Sequence, residues 1–443
     1  MILPILNIIR KLVNDMYKSS IIGFFWLSSL IFGSANMLIL QGAAAQDYYN
    51  DDTQYTDSSA YPAGYRDDNN NYNNNYNPPK DSDNNNKKYV CKDGPFEGLL
   101  TSSVKFCKPA DITVPTDFPT IQAAINASNP GDTIKVLPGT YTEQLTISKN
   151  LKIIGSGAKS TIIESPPVEE LEPNVIGRPY IVEVNNETQV TMKGFTITGP
   201  PPGTDCGTLV GISVLDNGSI NLKSVVINGC TQNAILIGAA PFFPGGPQIG
   251  HATITKTFVT DYVDHGVLAL GSGSTLTMSY NKIVGSNPNS AVVGILFVFG
   301  AKGTITHNEV RGNICNLPEC GPDFFTQLQS AGIVADSAGE GSVISNNYVS
   351  NNDAGIAVIG ASGCCIIDYN KLTDNRFFGI TIVDGEQTIS NTKILGGNIG
   401  VAAVAITANT VAILDNVKII GATTPVQELP SGGFTAEVVF LPN

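Results

Sequence analysis

Apolar residues recur between residues 192 and 419 in a repeated six-residue unit. Each unit has an apolar residue, two others, a turn residue, one other and a second apolar residue, and neighbouring units lie 22–39 residues apart. A repeat of this length predicts a solenoid, a propeller or another array of stacked units. The nine units are Met192–Ile197, Leu222–Ile227, Ile254–Val259, Met278–Ile283, Ile305–Val310, Ile344–Val349, Ile367–Leu372, Ile389–Ile394 and Leu414–Ile419.

A small residue followed by alternating apolar positions precedes most of these units, as in Gly211–Val214 and Gly355–Val358. Alternation with a period of two is typical of strands, so each repeat holds three short strands. A propeller blade needs four strands and a steadier period, whereas a coil accepts loops of any length at its corners. The pattern therefore predicts an all-β, single-stranded parallel β-helix with three strands per coil and about eleven coils.

The turn position of four successive units is occupied by asparagine, at Asn281, Asn308, Asn347 and Asn370. A stacked amide donates to one neighbour and accepts from the other, which predicts a structural ladder along one corner of the coil. Asparagine also tolerates the left-handed backbone of a sharp corner.

The segment before the repeats resembles the opening of pectin methylesterases and other right-handed parallel β-helix proteins of the pectin-lyase-like superfamily. The resemblance lies in Asp117–Asn126, Pro130–Val136, Gly139–Glu143 and Leu151–Gly157. It implies a right-handed coil from about residue 111 to residue 443, with a helix that covers its open end. The apolar stripe of that helix is formed by Ile121, Ala124 and Ile125, which lie on one helical face.

The resemblance says less about activity, because this superfamily includes lyases, hydrolases, esterases, epimerases, adhesins and copper-maturation proteins. Ile176–Tyr180 looks like the Gly-Arg-Pro-Trp motif of methylesterases, but it precedes the coils that would supply the paired aspartates. Leu296–Gly300, where the family has an aspartate, holds no carboxylate. Methylesterase activity is therefore not expected.

Two groups of residues are candidates for catalysis. Asp353, Asp374 and Arg376 fall at equivalent corners of adjacent repeats, where a calcium-dependent lyase would place its carboxylates and its base. Asp264 and His265 share another corner with Asp261. The alternative interpretations are turn-capping aspartates with a surface ion pair for the first group, and a solvated corner for the second.

The positions that face outward on the strands after the small residue are almost all apolar, for example Leu268, Leu296 and Val334. An exposed apolar stripe of this length favours association, so this face is expected to be covered. The candidate covers are Ala239–Ile249, with Phe242 and Phe243, and Gly312–Ser330, with Phe324 and Phe325, or else a partner chain.

The first 110 residues are expected to lie outside the coil. Residues 1–45 resemble an export signal, with Met1 or Met16 as the start, and the alternative is an uncleaved membrane anchor. Residues 46–88 are an Asn-, Tyr- and Asp-rich tail that is predicted to be disordered. Residues 89–110 are predicted to form a segment stapled by Cys91 and Cys107, followed by the β-helix domain at 111–443.

The composition restricts which partners and cofactors are expected. The net charge of -13 disfavours nucleic acid and anionic membranes, and three histidines leave little material for a metal site, so no cofactor is expected beyond Ca²⁺ in a lyase. Cys206–Cys230 and Cys315–Cys320 are expected disulfides, whereas Cys364 and Cys365 are expected as thiols, because neighbours on a strand point to opposite faces. Glycosylation sequons begin at Asn126, Asn186 and Asn217.

The sequence favours a secreted or cell-surface protein without catalytic activity, which attaches to an envelope or a glycan. The first alternative is a lyase or hydrolase of acidic polysaccharides that uses Asp353, Asp374, Arg376, Asp264 and His265. The second is a metal-maturation or carrier protein, which the scarcity of histidine and methionine disfavours.

Overall fold

A computed structural model describes residues 89–93, 105–109, 111–201, 206–360 and 363–442. Three parallel sheets wind around one apolar core, and each sheet joins strands from successive coils. This arrangement confirms the predicted parallel β-helix, with eleven strands in each of two sheets and thirteen in the other. The predicted signal and tail lie outside the described residues.

The first sheet contains β3 (Asp111–Val114), β4 (Thr133–Val136), β7 (Leu151–Gly155), β10 (Gln189–Lys193), β13 (Gly218–Lys223), β16 (Gly250–Thr255), β19 (Thr275–Ser279), β22 (Lys302–Thr306), β25 (Ser342–Ser345), β28 (Cys365–Asp368), β31 (Gly385–Ser390), β34 (Thr410–Asp415) and β37 (Ala436–Phe440).

The second sheet contains β5 (Gly139–Thr142), β8 (Thr161–Glu164), β11 (Thr196–Thr198), β14 (Val226–Asn228), β17 (Phe258–Thr260), β20 (Lys282–Val284), β23 (Glu309–Arg311), β26 (Tyr348–Ser350), β29 (Lys371–Thr373), β32 (Lys393–Leu395) and β35 (Lys418–Ile420).

The third sheet contains β6 (Leu145–Ile147), β9 (Tyr180–Val184), β12 (Val210–Val214), β15 (Thr231–Ile237), β18 (Tyr262–Leu270), β21 (Val293–Val298), β24 (Ala331–Asp336), β27 (Ala354–Ile359), β30 (Phe378–Val383), β33 (Ile399–Val404) and β36 (Thr424–Leu429).

The predicted capping helix is present as α1 (Ile121–Ala127), and its buried residues are Ile121, Ala124 and Ile125. Thr120 is its N-cap and accepts a hydrogen bond from the backbone of Ala123. The carboxylate of Glu143 accepts from the backbone nitrogens of Ile121 and Gln122, both at 2.9 Å. These contacts satisfy three of the free N–H groups at the start of the helix and fix it to the first coil. A single-turn 3₁₀ helix, Val168–Glu170, follows later.

The asparagine ladder is also present, at the corner between the first and second sheets. Nδ2 of Asn281 donates to Oδ1 of Asn308 at 2.9 Å, and the same bond continues to Asn347 and to Asn370 at 3.1 Å. The left-handed residue of this corner is not the ladder asparagine but the residue before it, for example Tyr369 with φ 51°. The side chain of each ladder residue is thus free to point inward and stack.

A second ladder, which the sequence analysis missed, lies at the corner between the second and third sheets. It runs through Asn313, Asn352 and Asn375, with Nδ2···Oδ1 distances of 2.8 and 3.0 Å. The hydroxyl of Tyr262 donates to Asn313 at its end. Each member lies five residues after a member of the first column, so the spacing was visible in the sequence.

Gly355 and Gly379 show why a small residue lies near the start of most strands of the third sheet. A Cβ on Gly355 would lie 2.5 Å from the carbonyl oxygen of Gly379, and a Cβ on Gly379 would meet that of the next coil's Gly400. Since this distance is too short for a real contact, the coils stack closely only with glycine here.

The structure joins Cys206 to Cys230 and Cys315 to Cys320, as the sequence suggested. It also joins Cys364 to Cys365, so the expectation of two thiols was wrong. The reason is that β28 begins at Cys365, and alternation of side chains does not extend to Cys364. In the N-terminal segment, β1 (Tyr89–Asp93) pairs antiparallel with β2 (Lys105–Pro109), and this register sets Cys91 opposite Cys107. That disulfide stays a prediction.

Candidate functional site

The outward face of the third sheet forms a second apolar core, separate from the interior of the coil. The register aligns Leu236, Leu268, Leu296, Val334 and Ala357 in one outward column. All five are buried, which confirms that this face is covered.

Loops of the same chain provide the cover, and both of the segments that the sequence suggested take part. Phe243, in the segment 239–249, packs on this core, and so do Phe324 and Phe325 in the segment 312–330. Ile176 and Tyr180, from the segment that resembles the methylesterase motif, belong to the core as well. The exposed apolar surface that would have favoured a partner chain is therefore largely occupied by these loops.

The cover leaves a cavity of about 510 Å³ between the segment 312–330 and the third sheet. Its floor includes Ala331, Ala354 and Ala357, and its walls include Phe324 and Phe378. The cavity exists because alanine occupies positions of the outward columns where other coils have leucine, valine or phenylalanine.

Asp264 and His265 line one end of this cavity. They are consecutive residues of β18, and consecutive strand residues ordinarily point to opposite faces. Here the register pairs Thr231 with Tyr262 but Asn233 with His265, so β18 has one extra residue. Such a bulge redirects side chains, which explains how both reach the same cavity. Bulges of this kind have no sequence signature in this segment.

Polar residues from earlier coils hold both side chains. Gln232 Nε2 donates to Asp264 Oδ2 at 2.8 Å, and Arg178 Nη1 donates to Gln232 Oε1 at 2.5 Å. His265 Nδ1 lies 2.9 Å from Asn233 Oδ1. An amide oxygen only accepts, so Nδ1 carries the hydrogen and Nε2 of the neutral ring is an acceptor. Sequence reasoning had not assigned these three partners.

Burial sets the protonation of the pair. It raises the pKa of Asp264 to about 6, while the hydrogen bond from Gln232 and the charge of Arg178 act in the opposite direction. Burial also lowers the pKa of His265 to about 3, so this imidazole is neutral over the physiological range. Asp264 is therefore a carboxyl that gains or loses a proton near pH 6, the property expected of a general acid or base.

Asp261, the third residue of the predicted corner, lies apart from the cavity. Its backbone is left-handed, with φ 64°, and its carboxylate accepts a hydrogen bond from Ser286 at 2.8 Å. It therefore caps a turn, as the solvated-corner interpretation proposed for this group.

The other predicted catalytic group was Asp353, Asp374 and Arg376. The structure brings Asp353 and Arg376 together and leaves Asp374 outside this pair. Asp353 is fully buried and lies 2.7 Å from Arg376, but none of Asp353, Asp374 and Arg376 lines the cavity. Asp353 accepts hydrogen bonds from the backbone nitrogens of Cys315 and Ser330, at 3.0 and 3.1 Å. It thereby fixes both ends of the covering segment 312–330 to the coil. Asp374 is exposed, has a left-handed backbone with φ 51°, and makes no ion pair among the described residues.

Several other expectations concern residues of the surface. Asn126, Asn186 and Asn217 are all exposed, so their glycosylation stays a prediction that the structure permits. In the described ranges, no group of three or more His, Cys, Asp or Glu side chains is placed to bind a metal. The same residues contain no helix that is long and apolar enough to span a membrane.

No protein-family model and no curated protein matches the sequence. Several solved structures are similar. The A-module of mannuronan C-5 epimerase AlgE6 from Azotobacter vinelandii has 14% identity and a TM-score of 0.44, and the match covers 73% of this chain and 94% of that chain. The complex of XylC with xylose has 13% identity, a TM-score of 0.44, and covers 67% of this chain and 69% of that chain. Alginate lyase from Paenibacillus sp. str. FPU-7 has 12% identity, a TM-score of 0.37, and covers 72% and 97%. The parallel β-helix itself is established by the three sheets of this chain.

Proposed function

We propose that this protein is a saccharide-active enzyme whose reaction occurs in the cavity on the third sheet. The observation that supports this proposal most is the pair Asp264 and His265 at the polar end of the cavity. Asp264 transfers a proton, since burial brings its pKa to about 6. His265 accepts a hydrogen bond from a substrate hydroxyl through Nε2, since its Nδ1 is bonded to Asn233.

The lining of the cavity favours a lyase over a hydrolase. Asp264 is the single carboxyl among its lining residues, whereas most glycoside hydrolases use a pair. In an elimination, the Asp264 carboxylate takes a proton from a ring carbon and the freed electron pair forms a C=C bond. The C–O bond to the leaving sugar breaks, and the leaving oxygen takes the proton that Asp264 now carries, which restores the carboxylate.

The test incubates the purified full chain with alginate, polygalacturonate and xylan, with and without Ca²⁺, and follows unsaturated products and reducing ends. We expect activity that rises with pH through about 6, because the base is the ionised carboxylate. Asp264→Asn should lower the rate by roughly a hundredfold or more, and His265→Gln by a smaller factor. Asp374→Asn is the matched control, since Asp374 is exposed and does not line the cavity.

Two results would contradict this proposal. Equal rates for wild type and Asp264→Asn would show that the reaction takes place elsewhere. The absence of product from every polysaccharide, together with binding to one of them, would favour the non-catalytic attachment role that the sequence suggested first.

A further inference from the structure

The floor of the cavity becomes deeper along the axis of the coil. In one outward column the side chain shrinks from Leu296 through Val334 to Ala357, which are neighbours in register. In the next column Val293 is followed by Ala331 and Ala354 before Phe378 fills the position again. In this second column the low part of the floor is therefore two coils wide, and it lies away from Asp264, which belongs to the coil before Val293.

Aromatic rings enclose this deep part from above and at its end. Phe324 of the covering segment packs edge-to-face on Phe378, with ring centroids 6.0 Å apart and an interplanar angle of 84°. Phe325 also lines the cavity, and Phe324 and Phe325 contact each other at 6.1 Å. Apart from the hydroxyl of Thr381, which follows Ala357 in register, the floor is apolar and the walls are aromatic, so the deep part binds apolar groups and offers a sugar hydroxyl one floor partner.

The volume leaves room for more than one group. An apolar cavity of about 150 Å³ stays dry and binds one benzene molecule. The cavity here has about 510 Å³, so a ring or short chain at the deep end leaves space for a polar unit beside Asp264 and His265. The two ends thus differ in the chemistry that they accept.

We propose that the deep end of the cavity, formed by Ala331, Ala354, Ala357, Phe324 and Phe378, is an apolar subsite. It accepts an aryl or short acyl group attached to the sugar whose polar part faces Asp264 and His265. This inference rests on the proposed function for the sugar, and the subsite itself rests on the shape and lining of the cavity. The substrate class is therefore a saccharide that has an apolar substituent at or next to the reacting unit.

The experiment measures binding of three probes to the full chain by calorimetry: phenyl β-glucopyranoside, methyl β-glucopyranoside and benzyl alcohol. We expect the phenyl glucoside to bind at least about tenfold more tightly than the methyl glucoside, because burial of an aromatic ring is worth that factor or more. Ala354→Leu and Ala357→Leu should remove this preference by filling the subsite.

Control variants distinguish filling of the subsite from a general disturbance of the fold. Ala123→Leu makes the same substitution on α1, away from the cavity, and should leave the preference unchanged. Ala354→Val and Ala357→Val add less volume and should reduce the preference by a smaller factor, which keeps the test valid if a leucine variant does not fold. Cavity-filling variants that fold should unfold at a higher urea concentration than wild type.

Equal binding of the phenyl and methyl glucosides would overturn the subsite, and polysaccharide cleavage could still be observed in that case. Binding of benzyl alcohol that Ala354→Leu abolishes supports the subsite, even where no saccharide is bound or cleaved. Binding of benzyl alcohol without binding or cleavage of any saccharide would support the subsite and contradict the proposed enzymatic function. The failure of one proposal is therefore distinguishable from the failure of the other.

Discussion

At the scale of single residues, the molecule keeps ionisable groups on its apolar outer face. Asp336 lies in register between Val298 and Ile359, and its carboxylate accepts a hydrogen bond from Ser337 at 3.0 Å. Burial raises its pKa to about 6, as it does for Asp264. An acid with a raised pKa binds its proton more tightly in the folded state than in the unfolded chain.

Asp336→Asn should therefore change how stability depends on pH. As the pH rises from about 4 to about 6, ionisation of this buried carboxyl lowers the free energy of unfolding of the wild type. The asparagine variant has no such group and does not lose this stability. His265 acts with the opposite sign, since its lowered pKa makes stability rise with pH below its ordinary value. Relative to wild type, the variant should be more stable above pH 6 by on the order of 1–3 kcal/mol.

Urea unfolding at several pH values between these limits measures the difference. Asp374→Asn removes an exposed carboxyl and serves as the control, with little expected change. A constant offset between Asp336→Asn and wild type over the whole range would refute the assignment of a raised pKa.

The structural role of a residue type that recurs at the same position of each repeat was predictable from the sequence. The position of a side chain that depends on a β-bulge was not. The first asparagine column was identified because Asn308 and Asn347 occupy the same place in an aligned unit. Asn352 was missed because only one column of the unit was compared, although it lies five residues after Asn347. The joint approach of Asp264 and His265 to the cavity depends on a bulge, which local sequence does not encode.

At the scale of elements, the covering segment 312–330 is fixed by an ion pair between Asp353, which is buried, and Arg376, whose side chain is partly exposed. Besides its two backbone bonds, Asp353 contacts Arg376, and Arg376 Nη1 donates to Asn316 Oδ1 at 3.0 Å. The backbone carbonyl of Cys315 accepts from the same guanidinium. The position of the roof of the cavity therefore depends on a few polar contacts at its ends.

Asp353→Asn should destabilise this segment more than the coil. The substitution replaces the buried carboxylate with an amide, but Arg376 is partly exposed and keeps its bonds to Asn316 and Cys315, so we expect a loss of about 1–2 kcal/mol. Limited proteolysis should cut within 317–329 faster than in wild type, and cleavage elsewhere should change less. Arg311→Gln, which breaks an exposed pair with Glu309, should cost no more than about 1 kcal/mol. Equal effects of the two substitutions would contradict the anchoring role.

The existence of the cover was predictable, but the cavity beneath it was not. The apolar outward positions showed that the third sheet needed a cover, and the phenylalanines of 239–249 and 312–330 identified the segments. The cavity depends on which side chains become neighbours across coils that are 22 or more residues apart. Ala354 and Val334 are informative only after the register places them in adjacent columns.

At the scale of the whole molecule, buried amide ladders connect the coils along two corners. Oδ1 of Asn347 accepts from both the backbone nitrogen and Nδ2 of Asn308, and its own Nδ2 donates to the carbonyl of Ile305. Each rung thus satisfies buried groups of neighbouring coils as well as its own. A stacked repeat is stabilised mainly by such contacts between nearest neighbours.

Asn347→Ala should therefore cost about 3 kcal/mol or more, because it leaves several buried donors and acceptors without partners. Since the break lies in the middle of the array, unfolding in urea should also become less cooperative, with a smaller slope. Asn289→Ala, at an exposed loop position, should change neither value appreciably. If both variants unfold like wild type, the ladder contributes little to stability.

Because each ladder has one asparagine per coil, the length of the molecule along its axis depends on the number of coils. Asn347 and Asn370 occupy the same corner 23 residues apart, so a deletion of 347–369 would set Asn308 beside Asn370 and remove one complete coil. The molecule would become shorter by about 4.8 Å, one strand spacing, with every column still continuous. Because the deleted stretch contains Asp353 as well as Ala354 and Ala357, the same event would remove the anchor of the covering segment and part of the cavity floor. In this architecture, loss of one coil would change the length of the molecule and the lining of its cavity at the same time.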